Sequence, residues 1–544
     1  MSFKAIEVNG ESIRIKKGST VALCASGSIL QTLTKIGCTK GTERIKIGAN
    51  KVRVTVFLVS PFNVAKILEA IPNLEAELSY LRPKKKKKKR YVWKKTRTLD
   101  SRLFPYQRYG VSWLLNGHGG YLADEMGLGK TVQALQFLQN SPFTKALVVA
   151  PASVCLNWAE ETREWATDWE PFFMKGRRSV ENMLAMPADT TNTKIAYITT
   201  WAQLALSGPS IAALHPECLI CDEAHRSKSL HSKRTQAALH IAKEAESVVL
   251  LSGTPMRNCA ADLFPPLNMV APHEFNDFND FAQQFSPPRE RTTPGGNTIT
   301  VYDISTNLDQ LREKSRPYIL HRKKKDVNLE LPPLRWRKLL LPANPSLEAD
   351  WEDILDAFKS DDEFDTSDLI RHRIEVGVEK VKAVAPWIED NASPENPLVV
   401  FIVHKSVRRE LETQLHNRGI SHAAIVGDTS TTNRQRYIRN FQQGKYAVLI
   451  CSEAAKEGVT LTRASQLLQL ERFWVPSDEE QAEARVHRIG STNPVIITHA
   501  HMGRTFDDFI VAKLARKRSV IREVFGDTLM DSALANRLIS KIKL

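Results

Sequence analysis

At residues 121–131 the chain reads YLADEMGLGKT, and this stretch says more about the fold than any other. The strict phosphate-loop pattern is G-x-x-x-x-G-K-[ST]; the last three residues of the stretch match it, whereas Asp124 replaces the first glycine. Gly127 and Gly129 can adopt backbone angles closed to other residues, so that amide groups approach phosphate oxygens. The following residues, TVQALQFL, are typical of a helix whose positive N-terminal end would face the phosphates. The stretch predicts a nucleotide-binding turn in front of a helix.

We expect ATP and Mg²⁺ as the ligands of this turn. Lys130 would reach the β- and γ-phosphates, and the Thr131 hydroxyl would be a ligand of Mg²⁺. The other expected ATP contacts are Asp124, Glu125, Met126, Gly127, Leu128 and Gly129. An ordinary glycine-rich turn in front of a helix is the alternative, because the first position of the pattern is altered.

A pair of carboxylates follows an apolar strand in ECLICDEAH, residues 217–225, at the end of the strand where open parallel sheets bind ligands. Asp222 would hold Mg²⁺ with its water shell, and Glu223 would orient and deprotonate the attacking water. Ala224 and His225 complete this DEAH box. Alone, such a pair is more typical of a helix N-cap. Its place downstream of a phosphate loop favours the catalytic interpretation.

Two cysteines of the same strand, Cys218 and Cys221, have the C-x-x-C spacing of zinc ligands. Their odd separation points the two side chains to opposite faces of a strand, and no second pair lies nearby in the sequence. We therefore predict core residues and no metal.

Short, continuously apolar segments alternate with helical stretches from residue 99 onward. The predicted strands are 146–150, 195–199, 217–221, 247–252, 397–403, 423–427, 446–451, 466–470 and 494–499. Strands that are apolar on both faces indicate a parallel sheet covered by helices on both sides. Residues 260–390, rich in charge, proline and helix formers, separate two series of strands. This pattern predicts an α/β protein with two tandem parallel-sheet lobes and helical insertions.

The N-terminal region has a different pattern. KAIEV and ESIRI are joined by Asn9-Gly10, a strong signal for a two-residue hairpin turn. RIKIGANKVRVTVFLV alternates in the same way, and VAKILEAIPNL is typical of a short helix. The predicted organisation is a small α+β accessory domain (1–81), a basic linker (82–98), a first ATP-binding lobe (99–259), a helical insert and inter-lobe region (260–390), a second lobe (391–505) and C-terminal brace helices (506–544).

Composition excludes several classes of protein. Of 544 residues, 42% are hydrophobic and 25% charged, the balance of a soluble globular protein. No apolar run reaches the roughly 18–20 residues that a membrane helix needs, and no secretory signal is visible at the start. The seven cysteines are scattered, which favours a reducing compartment. We expect the cytoplasm of a bacterial or phage-infected cell, with the nucleus as the alternative.

The net charge of +15 is concentrated near the N-terminus. Residues 82–98 carry 11 Lys and Arg and no acid, whereas residues 99–544 are close to neutral. We expect this segment to bind DNA phosphates, and the candidates are Lys84, Lys85, Lys86, Lys87, Lys88, Lys89 and Arg90. A solvated linker and a nuclear import signal are the two alternatives.

The whole set of motifs over residues 100–530 resembles the Swi/Snf-type ATPases of helicase superfamily two. DEMGLGKT is the form that the phosphate loop takes in this family, which accounts for Asp124. LFPYQRYGVSWLL (103–115) resembles the motif that reads adenine, with Gln107 in the reading position. LLSGTPMRN (250–258) resembles the motif that couples hydrolysis to lobe movement, centred on Ser252, Gly253 and Thr254. The resemblance implies lobes of RecA type.

The second lobe matches best in QAEARVHRIGS, residues 481–491. On a helix Gln481, Arg485 and Arg488 would lie on one face, because they are spaced i, i+4 and i+7. The resemblance implies that the two arginines act as arginine fingers on the transferring phosphoryl group. CSEAAKEGVTLT (451–462) keeps Gly458, which the resemblance assigns with Gln481 to coupling, but lacks two glycines that are usual in the family. This variant is most similar to the annealing-helicase branch, while Ala484 stands where an acid is usual.

These expectations combine into one function. We predict an ATP-dependent motor that translocates on double-stranded DNA and anneals or remodels DNA or DNA-protein complexes. Its expected partner is duplex or forked DNA, with no membrane association. A motor that displaces a DNA-bound protein such as RNA polymerase is an alternative, and residues 1–81 are then the candidate docking surface. Three further alternatives are a strand-separating DNA helicase, an RNA helicase and a scaffold with an inactive ATPase. The intact Lys130, Asp222, Glu223 and Arg488 disfavour the last.

Overall fold

The computed structural model describes residues 99–185, 193–292, 298–327, 331–348, 350–351, 366–456, 459–488 and 490–525, and from the N-terminal region residues 4–8, 11–16, 21–24, 31, 39–47 and 50–59. The chain divides into two compact units. One contains residues 1–93 with 177–186 and 207–215; the other contains residues 94–176, 187–206 and 216–544. The basic run from Lys84 to Arg90 lies outside the described residues, as does the predicted helix VAKILEAIPNL.

The N-terminal strands form one antiparallel sheet in the order β1-β2-β3-β5-β4. Its strands are β1 Lys4–Val8, β2 Glu11–Lys16, β3 Val21–Cys24, β4 Thr39–Ile47 and β5 Asn50–Val59. Val8 pairs with Glu11, which is the register that a two-residue turn imposes. The hairpin predicted around Asn9-Gly10 is confirmed.

The larger unit contains two parallel sheets. The first lobe is built on seven strands in the order β14-β6-β11-β10-β7-β9-β8, and all of its ladders are parallel. These strands are β6 Gly119–Leu122, β7 Lys145–Ala150, β8 Trp169–Phe173, β9 Lys194–Thr200, β10 Cys218–Asp222, β11 Ser247–Leu251 and β14 Ile319–Leu320. An antiparallel pair, β12 Arg289–Thr292 with β13 Thr298–Val301, lies between β11 and β14 in the chain.

The second lobe is built on six parallel strands in the order β15-β20-β19-β16-β18-β17. They are β15 Leu334–Leu341, β16 Leu398–Phe401, β17 His422–Ile425, β18 Val448–Cys451, β19 Gln466–Gln469 and β20 Val495–Met502. The chain contributes β14, which ends at Leu320, to the first sheet and β15, which begins at Leu334, to the second, so it changes lobes between these two strands.

Helices alternate with the strands of the two parallel sheets along much of the chain. In chain order they are α1 Pro105–Gly117, α2 Lys130–Gln139, α3 Cys155–Trp165, α4 Gly176–Ala185, α5 Trp201–Ala212, α6 Lys233–Glu244, α7 Phe264–Val270, α8 Phe278–Phe285, α9 Leu308–Ser315, α10 Thr366–Asn391, α11 Lys405–Asn417, α12 Thr431–Gln442, α13 Pro476–Glu483 and α14 Phe506–Phe525. None that the structure describes is both long and apolar enough to cross a membrane.

Alternate residues of the central strands enter different cores, which explains why these strands are apolar throughout. Leu398 and Val400 pack with helices α10 and α11, whereas Val399 and Phe401 pack with Phe441 of α12 and residues near α13. Burial on both faces favours apolar side chains along a parallel strand. The predicted fold class, two tandem parallel-sheet α/β lobes, is confirmed, and every apolar run predicted as a strand forms one. The weaker strands β6, β8, β14 and β15 were not predicted.

The C-terminal helix α14 is fixed to α10 by a buried ion pair. Lys380 Nζ lies 2.9 Å from Asp507 Oδ2, and the two side chains are 1% and 7% exposed. Trp351, Phe506 and Phe509 pack around this junction with edge-to-face ring contacts. Cys218 and Cys221 are free and buried, as predicted from their alternation on β10.

Candidate nucleotide-binding site

Three neighbouring strands of the first lobe deliver the candidate site to one edge of the sheet. They lie in the order β6-β11-β10, and because they are parallel their carboxyl ends coincide. The phosphate loop follows β6, the coupling segment around Gly253 follows β11, and Asp222 ends β10. The fold thus brings together three motifs that are far apart in the sequence.

The phosphate loop closes on the start of helix α2. Gly129 is the N-cap of α2 and has φ 68°, a left-handed conformation that favours glycine. A β-carbon at this position would lie 2.4 Å from Nε2 of Gln107, so a side chain has no room. Lys130 Nζ donates to the carbonyl oxygens of Asp124 at 2.7 Å and Glu125 at 3.2 Å. The backbone at the start of the phosphate loop therefore holds the Lys130 ammonium group in place.

Gln107 joins helix α1 to the same loop. It is 6% exposed, its Oε1 accepts from the Phe104 amide at 3.1 Å, and its Nε2 donates to the Leu128 carbonyl oxygen at 3.4 Å. The predicted adenine-reading residue is consequently oriented by both the helix start and the phosphate loop.

The Asp124 carboxylate makes buried hydrogen bonds that a glycine at this position could not make. Its side chain is fully buried and accepts two hydrogen bonds from the guanidinium of Arg322, one of them at 2.9 Å from Nε to Oδ1. Arg322 also donates to the Tyr106 carbonyl oxygen and to Gln133 Oε1. The altered first position of the pattern thus anchors the loop to residues that follow β14. Sequence reasoning missed Arg322, because nothing in its local context signals a partner 198 residues away.

Asp222 is held by three hydrogen bonds at the end of β10. Its Oδ2 accepts from Trp158 Nε1 at 2.9 Å, its Oδ1 accepts from the Glu223 amide at 2.9 Å, and its carbonyl oxygen accepts from Trp201 Nε1 at 2.8 Å. Burial, and secondly the adjacent Glu223 carboxylate, raise the pKa of Asp222 to about 7. A buried, oriented carboxylate oxygen is a suitable ligand for a hard divalent cation.

Glu223 has an unusual backbone and a different charge state. Its φ of 49° is left-handed, a strained conformation of the type found at functional sites. Burial opposes ionisation of this carboxyl, but His225, Lys130 and Arg485 together outweigh it and lower the pKa of Glu223 to about 2. The neighbouring carboxyls therefore differ, with Glu223 ionised and Asp222 able to exchange a proton near neutral pH.

His225 connects the acidic box to the coupling segment. Its Nδ1 lies 3.2 Å from Glu223 Oε2, 3.0 Å from Ser252 Oγ and 3.3 Å from Thr254 Oγ1. Ser252 Oγ also accepts from the Thr254 amide at 3.0 Å. Between the two hydroxyl residues, a β-carbon on Gly253 would lie 2.4 Å from Met126 Cγ. The coupling segment thus contacts His225, which itself lies beside the general-base candidate Glu223, and it packs against Met126 of the phosphate loop.

The arginines of the second lobe face this site, but not from the predicted helix. Helix α13 ends at Glu483, so only Gln481 of the three predicted residues is helical. The Arg485 carbonyl oxygen accepts from the Leu461 amide at 2.9 Å and is thereby withdrawn from a helical ladder. The prediction that Gln481, Arg485 and Arg488 share one helix face was therefore wrong.

Their placement nevertheless brings the two lobes together at the phosphate loop. A β-carbon on Gly127 would lie 3.6 Å from Cβ of Arg488, and Arg485 is close enough to Glu223 to lower its pKa. Arg488 Nη1 donates to Thr460 Oγ1 at 2.9 Å, and its charge opposes the burial that raises the pKa of Glu161 to about 7. Gly458, predicted to take part in coupling, lies outside the described residues.

Further contacts between the lobes were not predicted. Lys324 Nζ donates to the His487 carbonyl oxygen at 3.0 Å and lies 3.7 Å from Glu125 Oε1. Arg257, which follows the coupling segment, pairs with Asp478 of α13 at 2.7 Å. A cavity of about 250 Å³ lies beside these contacts, lined among others by Met126, Gly253, Lys324, Trp336, Glu480 and Arg518.

Comparison with known families agrees with this geometry. The model of the SNF2-related domain matches residues 106–349, and the model of the helicase conserved C-terminal domain matches residues 379–490. The chain thus contains an SNF2-related domain and a helicase conserved C-terminal domain. The first match contains the phosphate loop, the acidic box and the coupling segment; the second contains Arg485 and Arg488. The resemblance to Swi/Snf-type ATPases inferred from the motifs is confirmed.

Individual relatives of this SNF2-related chain are similar over its larger part. The SWI/SNF-related matrix-associated actin-dependent regulator of chromatin subfamily A-like protein 1 of Xenopus tropicalis is 31% identical over 439 residues, 78% of this chain and 45% of the relative. The human DNA annealing helicase and endonuclease ZRANB3 is 26% identical over 445 residues, 78% of this chain and 40% of the relative. The chain thus spans less than half the length of both.

Among solved structures, the Sulfolobus solfataricus SWI2/SNF2 ATPase core in complex with dsDNA is 21% identical, with a TM-score of 0.39. The match covers 84% of this chain and 100% of that chain.

Proposed function

We propose that the chain is a DNA-dependent ATPase that translocates on double-stranded DNA and anneals or remodels it. The observation that carries this proposal is the meeting of two lobes at one site. Lys130 and Glu223 lie on the first lobe; from the second lobe, Arg485 is close to Glu223, and Cβ of Arg488 lies beside Gly127 of the phosphate loop. A triphosphate held there would be contacted from both sides, so its hydrolysis would change how strongly the lobes attract each other.

The residues of the first lobe fit ATP and Mg²⁺. Amide groups of the phosphate loop and the positive end of α2 face the position of the phosphates. Lys130 would exchange its bonds to loop carbonyl oxygens for bonds to phosphate oxygens. The Thr131 hydroxyl and the Asp222 carboxylate supply the oxygen ligands that Mg²⁺ prefers. When bound, Mg²⁺ would neutralise charge on the phosphate oxygens.

Glu223 is the proposed general base. The pKa of this carboxyl is lowered, 17% of its side chain is exposed, and its Oε2 lies 3.2 Å from Nδ1 of His225. An ionised, oriented carboxylate can accept the proton of an attacking water. His225 in turn contacts Ser252 and Thr254, so that a shift of the carboxylate during hydrolysis reaches the coupling segment.

The mechanical part of the proposal concerns the sugar-phosphate backbone. Each lobe would contact the backbone of one strand, and alternate closing and opening of the site would advance the chain without reading bases. Similarity to a relative that is named a DNA annealing helicase supports DNA as the polymer along which the chain moves. The SNF2-related domain supports duplex DNA over RNA, whereas the DEAH spelling alone would allow either.

A hydrolysis assay tests the proposal. ATP hydrolysis is measured for the intact chain with duplex DNA, forked DNA, single-stranded DNA and RNA of equal length. We expect strong stimulation by duplex or forked DNA. Stimulation by RNA alone, or hydrolysis that no nucleic acid changes, would overturn the proposal.

Two pairs of variants locate the chemistry. Lys130→Ala should abolish hydrolysis, while Lys233→Ala, an equal change at an exposed position of the same lobe, should not. Arg488→Ala should lower kcat by about 10³- to 10⁵-fold, the contribution of an arginine finger, with ATP affinity retained. Arg439→Ala on the exposed side of α12 is its matched control. An Arg488→Ala enzyme as active as its control would remove the second lobe from the mechanism.

A strand-exchange assay separates annealing from unwinding. Two complementary strands labelled with a fluorophore and a quencher are followed with ATP, starting either from the duplex or from protein-coated single strands. We expect ATP-dependent quenching from the single strands and no release from the duplex. Release from the duplex would favour the strand-separating alternative.

A further inference from the structure

A cluster of metal-ligand side chains lies outside the nucleotide site. Asp350, His372 and Glu375 each offer a ligand atom, and these atoms lie within 4.8 Å of one another. His372 and Glu375 are one turn apart on α10, which places them on the same face. Asp350 comes from the short helical stretch that follows β15. The cluster therefore joins two segments of the larger unit.

Within this cluster, the buried imidazole of His372 is the group that indicates an additional ligand. Its side chain is 1% exposed, yet neither Nδ1 nor Nε2 has a hydrogen-bond partner among the residues that the structure describes. A buried polar group without a partner costs free energy, and such groups in native structures usually indicate an additional ligand. Burial lowers the pKa of His372 and so favours the neutral imidazole, the form that binds metals.

The ring is oriented so that its nitrogens can bind in the ring plane. His372 stacks on Trp351 with a centroid distance of 5.5 Å and an interplanar angle of 19°. Trp351 is itself fixed against Phe506 and Phe509 by edge-to-face contacts. Stacking occupies the face of the imidazole and leaves its edge for a ligand.

We propose that Asp350, His372 and Glu375 bind a divalent transition-metal ion of the zinc type. One imidazole nitrogen and two carboxylate oxygens form a mixed set that suits zinc, cobalt or manganese better than magnesium or calcium. Bonds of about 2.0–2.2 Å require the ligand atoms to move slightly closer together. The two carboxylates are exposed and free to rotate, whereas the histidine is fixed, so this adjustment needs no change in the core. Water would complete the coordination on the open side.

The bound ion would link Asp350, in the short helical stretch after β15, to helix α10. This linkage would reinforce the packing of Trp351 on α14, close to the buried Lys380–Asp507 pair. The site is independent of the proposed ATPase activity, since its residues belong to neither the phosphate loop nor the acidic box.

Calorimetric titration of the metal-free full chain without nucleotide tests the proposal. Zn²⁺ and Co²⁺ are titrated separately, with Mg²⁺ and Ca²⁺ as comparison ions. We expect one Zn²⁺ per chain. Asp350→Asn and Glu375→Gln should each raise the Kd for Zn²⁺ at least about tenfold, the effect that losing even an outer-shell partner has. Glu379→Gln, the same change one turn further along α10, should leave it within twofold.

Two further variants make the result specific. His372→Phe keeps a ring for stacking on Trp351 and removes both nitrogens, so we expect an unchanged or higher melting temperature without metal and no further rise with Zn²⁺. Asp222→Asn should retain Zn²⁺ binding, which excludes the nucleotide site as its location. Absence of Zn²⁺ binding by the intact chain, or equal binding by the intact chain and the Asp350, His372 and Glu375 variants, would overturn the proposal.

Discussion

The buried pair formed by Asp124 and Arg322 should be among the most sensitive positions in the first lobe. The Asp124 side chain is fully buried and that of Arg322 is 12% exposed. Replacing Arg322 by Met would leave a buried carboxylate whose remaining side-chain partner is Gln133 Nε2 at 3.3 Å. Breaking a buried pair in this way costs about 3–5 kcal/mol, whereas an exposed pair contributes about 0–1 kcal/mol. We therefore expect Arg322→Met to lower the free energy of unfolding of the first lobe by about 3–5 kcal/mol.

The measurement combines urea unfolding with hydrogen–deuterium exchange of peptides that span residues 119–139. Since each 1.4 kcal/mol is a factor of ten, exchange in these peptides should accelerate by roughly two to three orders of magnitude. Arg102→Met is the matched control, because Arg102 pairs with Asp100 at 2.8 Å on the surface of the same lobe, with 49% of its side chain exposed.

A double-mutant cycle isolates the pair itself. Asp124→Asn alone leaves the Arg322 charge unmatched, whereas Asp124→Asn with Arg322→Met removes both charges. The double variant should therefore be less destabilised than the sum of the single variants, with a coupling energy of roughly 0.5–3 kcal/mol. Strictly additive losses, or an Arg322→Met variant as stable as Arg102→Met, would show that this pair does not hold the phosphate loop.

Three further outcomes are expected. Glu223→Gln should lower the rate of hydrolysis about 10²- to 10⁴-fold with ATP affinity retained, as measured by single-turnover hydrolysis and nucleotide titration; an active variant would exclude Glu223 as the general base. Because the pKa of Asp222 is raised to about 7, a proton competes with Mg²⁺ for this carboxylate below that pH. The Mg²⁺ concentration needed for half-maximal hydrolysis should therefore rise about tenfold per pH unit as the pH falls below 7. A Mg²⁺ requirement that does not change with pH would contradict this. Deleting residues 82–98, which carry 11 Lys and Arg, should weaken duplex binding and flatten its dependence on salt in a fluorescence anisotropy titration, and an unchanged slope would mark the segment as a linker.

Local patterns in the sequence were sufficient for most central strands of the two sheets and for the turns that follow two of them in the first lobe. The central strands are apolar on both faces because both faces are buried, and this property is visible in five or six consecutive residues. The phosphate loop and the acidic box each combine a strand end with a turn, so each is also a local signal. The edge strands β14 and β15 carry no such pattern, since each pairs with a neighbouring strand on only one side.

Contacts between distant segments could not be predicted. The role of Asp124 depends on Arg322, and the end of α13 depends on a hydrogen bond from the Leu461 amide to the Arg485 carbonyl oxygen. Helical periodicity placed Arg485 and Arg488 on one face of a helix, whereas both follow the end of α13 at Glu483. The sequence after Glu483 contains no proline or glycine before Gly490, so no local signal marked the helix end.

The contacts around His225 indicate why the coupling segment has its particular residues. His225 lies within hydrogen-bond distance of Ser252 and Thr254, and the chain continues from there to Arg257, which pairs with Asp478 of α13 at 2.7 Å. Helix α13 leads directly into the turn that carries Arg485 and Arg488. Polar contacts and the short backbone segments between them thus connect the Glu223 carboxylate to the turn that carries the two arginines. This connection exists in addition to any nucleotide between the lobes. A route of this kind transmits a change only if its members have two arrangements, and the left-handed backbone of Glu223 is a strained point from which a second arrangement can arise.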